Sequence, residues 1–236
     1  MTTYDVIRDI HILAGVIALG AFWTAASLRK GSPHHRTVGR SFLIAMGVVA
    51  ITGVYIAIAA FQRGRPVFGS FLMYLVLIVV TPTWFGWRVL REKQDVKRYT
   101  GVIYHSMAWV NIAAGASMLA LGIAYRSLLF GGLSAVGLLA GFFMLRFTRR
   151  ATLEARWWVR RHYVFMLGAG VGTHVAFINI GLSRMLPPAW SPIALQISFA
   201  LPLVAFLFAR LWLDRKYGPR APTEQTYGDV VAGTRV

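Results

Sequence analysis

Seven apolar runs separated by short basic breaks limit what this chain can fold into. They cover roughly Ile10 to Leu28, Ser41 to Phe61, Val67 to Trp87, Gly101 to Tyr125, Ser127 to Leu145, His162 to Leu186 and Ile193 to Leu213. Each is close to the roughly 20 residues a helix needs to cross about 30 Å of hydrocarbon. None contains Asp, Glu or Lys, the pattern expected where lipid cannot satisfy a buried charge. The expected fold is all-α and polytopic, with seven transmembrane helices in one bundle over residues 1–213. A polar segment containing Pro and Gly, residues 214–236, is expected to be a disordered tail.

Composition agrees with this reading once the charge is located. The chain is 57% hydrophobic and only 14% charged, yet its formal net charge is +17. Of the 25 Lys and Arg, 20 lie in alternate breaks, residues 29–40, 88–100, 146–161 and 210–236. Short cytoplasmic loops retain positive charge, so the N-terminus is expected outside and the C-terminus in the cytoplasm. The same distribution argues against nucleic acid as a partner, which would require the cations on one folded soluble surface. The leading MTTYDVIRD holds one Arg beside two Asp rather than a positive n-region, so the first run is expected to stay as a helix. Cysteine is absent, which excludes disulfides, Cys-ligated iron–sulfur clusters and thiol catalysis.

Small residues mark where helices can approach closely. Ala14, Ala18, Ala21 and Ala25 form one stripe, and Gly168, Gly170, Gly172 and Gly181 crowd the sixth run. Such positions favour packing in lipid or leave space for a planar group. Pro82 and Pro202 fall inside runs, where each frees a carbonyl.

The polar residues within the runs are few: His11, His105, Asn111, His162, His174, Asn179 and Gln196. Carboxylates (Asp5, Asp9, Glu92, Asp95, Glu154 and Asp214) stand at or beyond the edges, so an intramembrane metallohydrolase is poorly supplied, with Asp9 beside His11 its best start. Histidine suits a buried ligand role because neutral imidazole coordinates haem iron, zinc or copper without importing charge. At about 1.5 Å per residue, His11 is placed about 10 to 12 Å outside the bilayer centre and His174 about 3 Å outside it. On the same ruler His105 lies about 12 Å, and His162 about 15 to 18 Å, to the inner side.

His105 and His162 are therefore the best match in depth, and the break SPHHRTVGR brings His34 and His35 to the same edge. A metal set of His35, His105 and His162 is the expectation there, with a second, outer site at His11 and His174. The structural alternative stands beside it. Histidines near helix ends are often interfacial, and His174 could hydrogen-bond Asn179 or Asn111.

Three segments resemble a known family. HILAGVIALG from His11, HHRTVGRSFLIAMGVVAITGVYIA from His34 and WWVRRHYVFMLGA from Trp157 are similar to the helix entries of the bacterial membrane family called domain of unknown function 2306. Trp157 and Arg160 match its W-x-x-R entry, while Ala155 stands where a histidine is expected. The resemblance implies a multi-pass protein of the bacterial inner membrane and supplies no activity. In logic, though not in sequence, the pattern is also like four-helix b-type cytochromes, an analogy at the level of fold.

The expected function is haem b binding through His11, His105, His162 and His174, with electron transfer to or from a quinone or another membrane redox partner. Arg36, Arg40 and Arg160 would face haem propionates or anionic lipid headgroups, because guanidinium pairs bidentately with both. The alternative is a cofactor-free permease, or a non-catalytic partner in a larger membrane complex. The missing internal repeat disfavours an inverted-repeat transporter.

Overall fold

The computed structural model describes residues 1–150, 152–153, 156–181, 187, 190–218 and 225–226, and of 152, 191–199 and 225–226 the backbone alone. The helices are α1 (Thr3–Ser27), α2 (Pro33–Gln62), α3 (Pro66–Arg91), the short α4 (Val96–Tyr99), α5 (Val102–Ala124), α6 (Leu128–Thr148), α7 (Trp157–Ala176) and α8 (Ser191–Tyr217). A π-helical turn, Phe177–Gly181, continues α7. A two-residue strand β1 (Thr152–Leu153) pairs antiparallel with β2 (Gln225–Thr226).

Among the described residues, six segments are long and apolar enough to cross a membrane: Thr3–Ser27, Pro33–Gln62, Pro66–Arg91, Val96–Ala124, Leu128–Thr148 and Trp157–Gly181. The seventh expected run falls on α8, which continues past Leu213 through Asp214 to Tyr217. That helix takes in the first residues of the expected tail. The side chain of Gln196, residues 182–186 at the end of the sixth run, Glu154, Ala155 and most of 219–236 lie outside the described residues.

Local chemistry sets the helix starts. Thr2 and Asp5 form a reciprocal capping box, with the Thr2 N–H donating to Asp5 Oδ2 at 2.9 Å. Ser32 accepts from the His35 N–H at 3.2 Å, and Pro33 takes the first helical position of α2, where its missing N–H has no partner to lose. The surface is the inverse of a soluble protein's: on α1 the buried residues are Ala14 and Ala18, while Ile12, Leu13, Val16 and Ile17 are exposed. Large apolar side chains facing outward fit a surrounding of lipid.

The chain divides into two compact units. Unit 1 comprises residues 1–83 and 169–203, and unit 2 residues 84–168 and 204–236. In unit 1, α1 and α2 run antiparallel, with His11 opposite Thr52 and Ala25 opposite His35. The expected alanine stripe is the packed face, since Ala14 and Ala18 are buried and Ala21 and Ala25 half-buried. Gly170 and Gly172 are also buried, and a methyl group on either would strike Phe22 or Val79.

In unit 2, α5 and α6 form a second antiparallel hairpin in which main chains touch. A Cβ on Gly115 would come within 2.8 Å of the Leu138 nitrogen, and one on Gly122 within 2.7 Å of the Gly131 nitrogen. The core of the unit is aromatic: Phe85, Tyr99, Tyr104, Phe147, Trp157 and Phe165 cluster with Val89, Val96 and Met144. Val96 and Tyr99 are fully buried although they belong to the basic break between the third and fourth runs. Asp95 caps α4 by accepting from the Arg98 N–H at 2.8 Å, so this break folds inward and supplies core.

Candidate functional site

Histidine chemistry in unit 1 begins at His11. Its Nδ1 lies 2.8 Å from Thr52 Oγ1, and that hydroxyl donates to the Val48 carbonyl at 2.6 Å. With the hydroxyl proton spent on the carbonyl, Thr52 accepts from His11, so Nδ1 carries the proton and Nε2 presents a lone pair. Gly53, next to Thr52, lies beside the ring: a Cβ there would be in ordinary contact with His11 Cε1 at 3.6 Å and tight against Val76 Cγ2 at 3.0 Å. Asp9, the acid expected nearest His11, is held by the Arg8 guanidinium at 3.1 and 2.9 Å.

His174 has the same tautomer by a different route. Its Nδ1–H donates to the Gly170 carbonyl at 2.7 Å, and Nε2 accepts from the Trp23 indole N–H at 2.9 Å. Phe22 and Trp23 meet the ring edge-on, with centroids 5.7 and 5.6 Å away. The hydrogen-bond partner expected from Asn179 or Asn111 is thus supplied by a tryptophan of α1. Both ring nitrogens of His174 are in use.

His35 serves a helix joint. Its Nδ1–H donates to the Ala25 carbonyl at 3.0 Å, while Lys30 Nζ reaches the carbonyls of Ala25 at 3.1 Å, Leu28 at 3.4 Å and Ala26. Arg36 Nε donates to the Gly31 carbonyl at 3.0 Å, and Gly31 has a left-handed φ of 78°. The break that brings two histidines and two arginines together therefore closes the α1 C-terminus, where four carbonyls otherwise lack helical partners. His34 and Arg40 are exposed.

In unit 2 the two depth-matched histidines engage different carbonyls. His105 is exposed on α5 with Nδ1 3.3 Å from the Gly101 carbonyl of its own helix. His162 is half-buried on α7, and its Nδ1–H donates to the Gly86 carbonyl of α3 at 2.7 Å. Among the described residues no three His, Asp or Glu side chains gather to hold a metal, so His35, His105 and His162 are not brought together as a ligand set.

Arg160, expected to face an anion from outside the chain, has its fork filled from within. Nε and Nη2 donate to the two carboxylate oxygens of Asp214 at 3.0 and 3.3 Å. Tyr163 donates its hydroxyl proton to the same carboxylate, and Arg210 approaches it at 3.7 Å. Asp214 follows the apolar run that ends at Leu213. Burial alone would raise its pKa, but the Arg160 and Tyr163 hydrogen bonds outweigh this and hold it below the ordinary carboxylate value. A second pair, Arg88 Nε to Glu92 at 2.7 Å, ties α3 to the start of the basic break.

Several functional partners were not singled out in the sequence. Thr52 is one hydroxyl in an apolar run, 41 positions from the histidine it orients. Trp23 reads as an interfacial aromatic. Arg161 reads as one more positive-inside charge, yet its guanidinium carbon lies 3.5 Å above the centre of the Phe147 ring. Asp214, the acid directly after the last run, was the one with a readable signal. No family model, curated protein or solved structure matches the chain.

Proposed function

We propose that the chain is a seven-span protein of the bacterial inner membrane, N-terminus outside, related to the family it resembles, and that it binds haem b through membrane histidines. The observation that carries this reading is the orientation of the imidazoles. His11, His162 and His174 each present Nδ1–H to an oxygen acceptor, the arrangement by which outer partners fix the tautomer of a metal-binding histidine and raise its basicity. Haem supplies one-electron chemistry, and the partner would be a quinone or a membrane redox protein.

Of the histidines, His11, whose ring is oriented by Thr52, would be the one best suited to hold the haem iron. His174 would serve as a ligand only after the Trp23 hydrogen bond is released from its Nε2. Arg40 is exposed and open to a propionate, whereas Arg160 is committed to Asp214 and Arg36 to Gly31.

A second reading is favoured by that same commitment. His35 and His174 already serve as structural hydrogen-bonding groups, as a cofactor-free complex partner or permease would use them. A reduced-minus-oxidised spectrum of the full chain, purified in mild detergent from cells supplied with haem precursor, decides between the two. Sharp α and Soret bands at near-stoichiometric haem, lost in His11→Ala, are the expected result. A colourless, monodisperse protein overturns the haem reading and selects the second.

A further inference from the structure

Arg88, Arg160 and Arg161 of unit 2 are all half-buried, and among the described residues the first two stand beside an acid. Arg88 is matched by Glu92 at 2.7 Å and Arg160 by Asp214 at 3.0 Å. Arg161, the fifth residue of α7, has no carboxylate within ion-pair distance among the described residues. Its guanidinium lies face-on over Phe147, 3.5 Å from the ring centre, with Phe165 at 5.9 Å. Phe147 is itself fixed by Tyr99 at 6.4 Å, Tyr104 at 6.5 Å and Trp157 at 5.7 Å. The cation therefore rests on a rigid aromatic floor.

A guanidinium cannot be neutralised by losing a proton in a protein, so the charge needs an anion or water. Stacking covers the face of the group and leaves its edge, where the N–H donors lie in one plane. None of its nitrogens is sealed from solvent without a partner. Groups close enough to act on it electrostatically include the phenols of Tyr99 and Tyr104 and the cations of Arg150 and Arg160. Lys93 and Arg156 are held over Trp158 at 5.3 and 5.7 Å. One helical turn before Phe147, the apolar side chains of Phe142 and Phe143 are exposed on α6, a surface suited to acyl chains.

We infer that Arg161, stacked on Phe147, is a binding site for the headgroup phosphate of an anionic phospholipid. Arg161 stands immediately before the apolar run that begins at His162, at the level where a headgroup meets the hydrocarbon. Phosphate offers two oxygens to the open edge of the fork, and the surrounding cations favour a headgroup with no ammonium of its own. The inference stands independently of haem.

Native mass spectrometry of the full chain, delipidated in mild detergent and titrated with dioleoyl phosphatidylglycerol, tests it. One phosphatidylglycerol is expected to bind in preference to phosphatidylcholine. Arg161→Met, which keeps an apolar stem over Phe147, should weaken that binding about tenfold or more, while replacing the exposed Arg29 by Met leaves it unchanged. Wild-type affinity in an Arg161→Met protein of unaltered circular dichroism overturns the site. Should that variant fail to fold, Arg161→Lys carries the test: a several-fold loss is expected when the fork becomes a point charge, and unchanged affinity overturns the site. Inorganic phosphate that displaces the lipid at equal concentration overturns the lipid as source.

Discussion

The α1–α2 hairpin and the α5–α6 hairpin solve the same packing problem with different residues. In the first, Ala14 and Ala18 are buried, His11 hydrogen-bonds Thr52 across the pair, and Trp23 of α1 donates separately to His174 of α7. In the second, glycines at 115, 122 and 141 bring main chain against main chain, so that the added Cβ would strike backbone atoms of Leu138, Gly131 or Ala108. Without a hydrophobic drive between helices in lipid, close van der Waals contact is the principal adhesive. The glycine hairpin maximises that contact. The alanine hairpin gives up part of it and gains an internal surface with ligand-type nitrogens. Stability is expected to reside in one and chemistry in the other.

Breaking the glycine hairpin should have the largest effect. Gly122→Ala is expected to lower stability by roughly 2–3 kcal/mol because the colliding atoms are main chain and cannot step aside. Gly53→Ala in the alanine hairpin should cost less, since it meets only the flexible Val76 side chain at 3.0 Å and a ring edge at 3.6 Å. SDS-titration midpoints in mixed micelles measure both. Equal losses at the two positions would erase the distinction.

A smaller effect is expected where chemistry is placed. Thr52→Val keeps the shape of the side chain but removes the acceptor for His11 Nδ1–H, at a cost of about 1–2 kcal/mol for a half-buried donor left unmatched. If haem is bound, its affinity should also fall about 10- to 100-fold as the outer partner is lost. Haem titration by Soret absorbance reads the second quantity separately from the unfolding midpoint.

The smallest effect is a gain. Arg126, which joins α5 to α6, has a left-handed φ of 48°. Its N–H donates to the Ile123 carbonyl at 3.2 Å, and the Ser127 N–H to the Gly122 carbonyl at 2.9 Å, the two-bond helix stop that usually ends in glycine. Arg126→Gly is expected to stabilise the hairpin by up to about 1 kcal/mol, seen as a higher SDS midpoint.

The sequence was most legible where one physical constraint acts alone. Lipid forces each crossing segment to satisfy its own backbone, so the apolar runs and their helical nature were readable without the fold. The alanine stripe of α1 was readable for the same reason, because the spacing of small residues is itself the packing surface. The candidate site was readable only in residue type. His11, His162 and His174 stood out as rare polar groups, but their tautomers depend on Thr52, Gly86, Gly170 and Trp23, all but Gly170 on other helices. The basic breaks were the least legible, since a positive charge near a helix end is accounted for by topology whether or not it also binds something.

That this is a multi-helix membrane protein follows from the order of residues, because burying apolar length and excluding carboxylates are properties of local segments. Which charges and imidazoles are spent depends on contacts between distant segments. The fold joined Arg160 to Asp214 across 54 positions, turned His35 into a helix cap, placed Tyr99 in a core, and laid Arg161 over an aromatic floor with no acid beside it among the described residues. Hydrogen bonds and ion pairs act over about 3 Å, and the neighbours found within that distance come from distant parts of the chain.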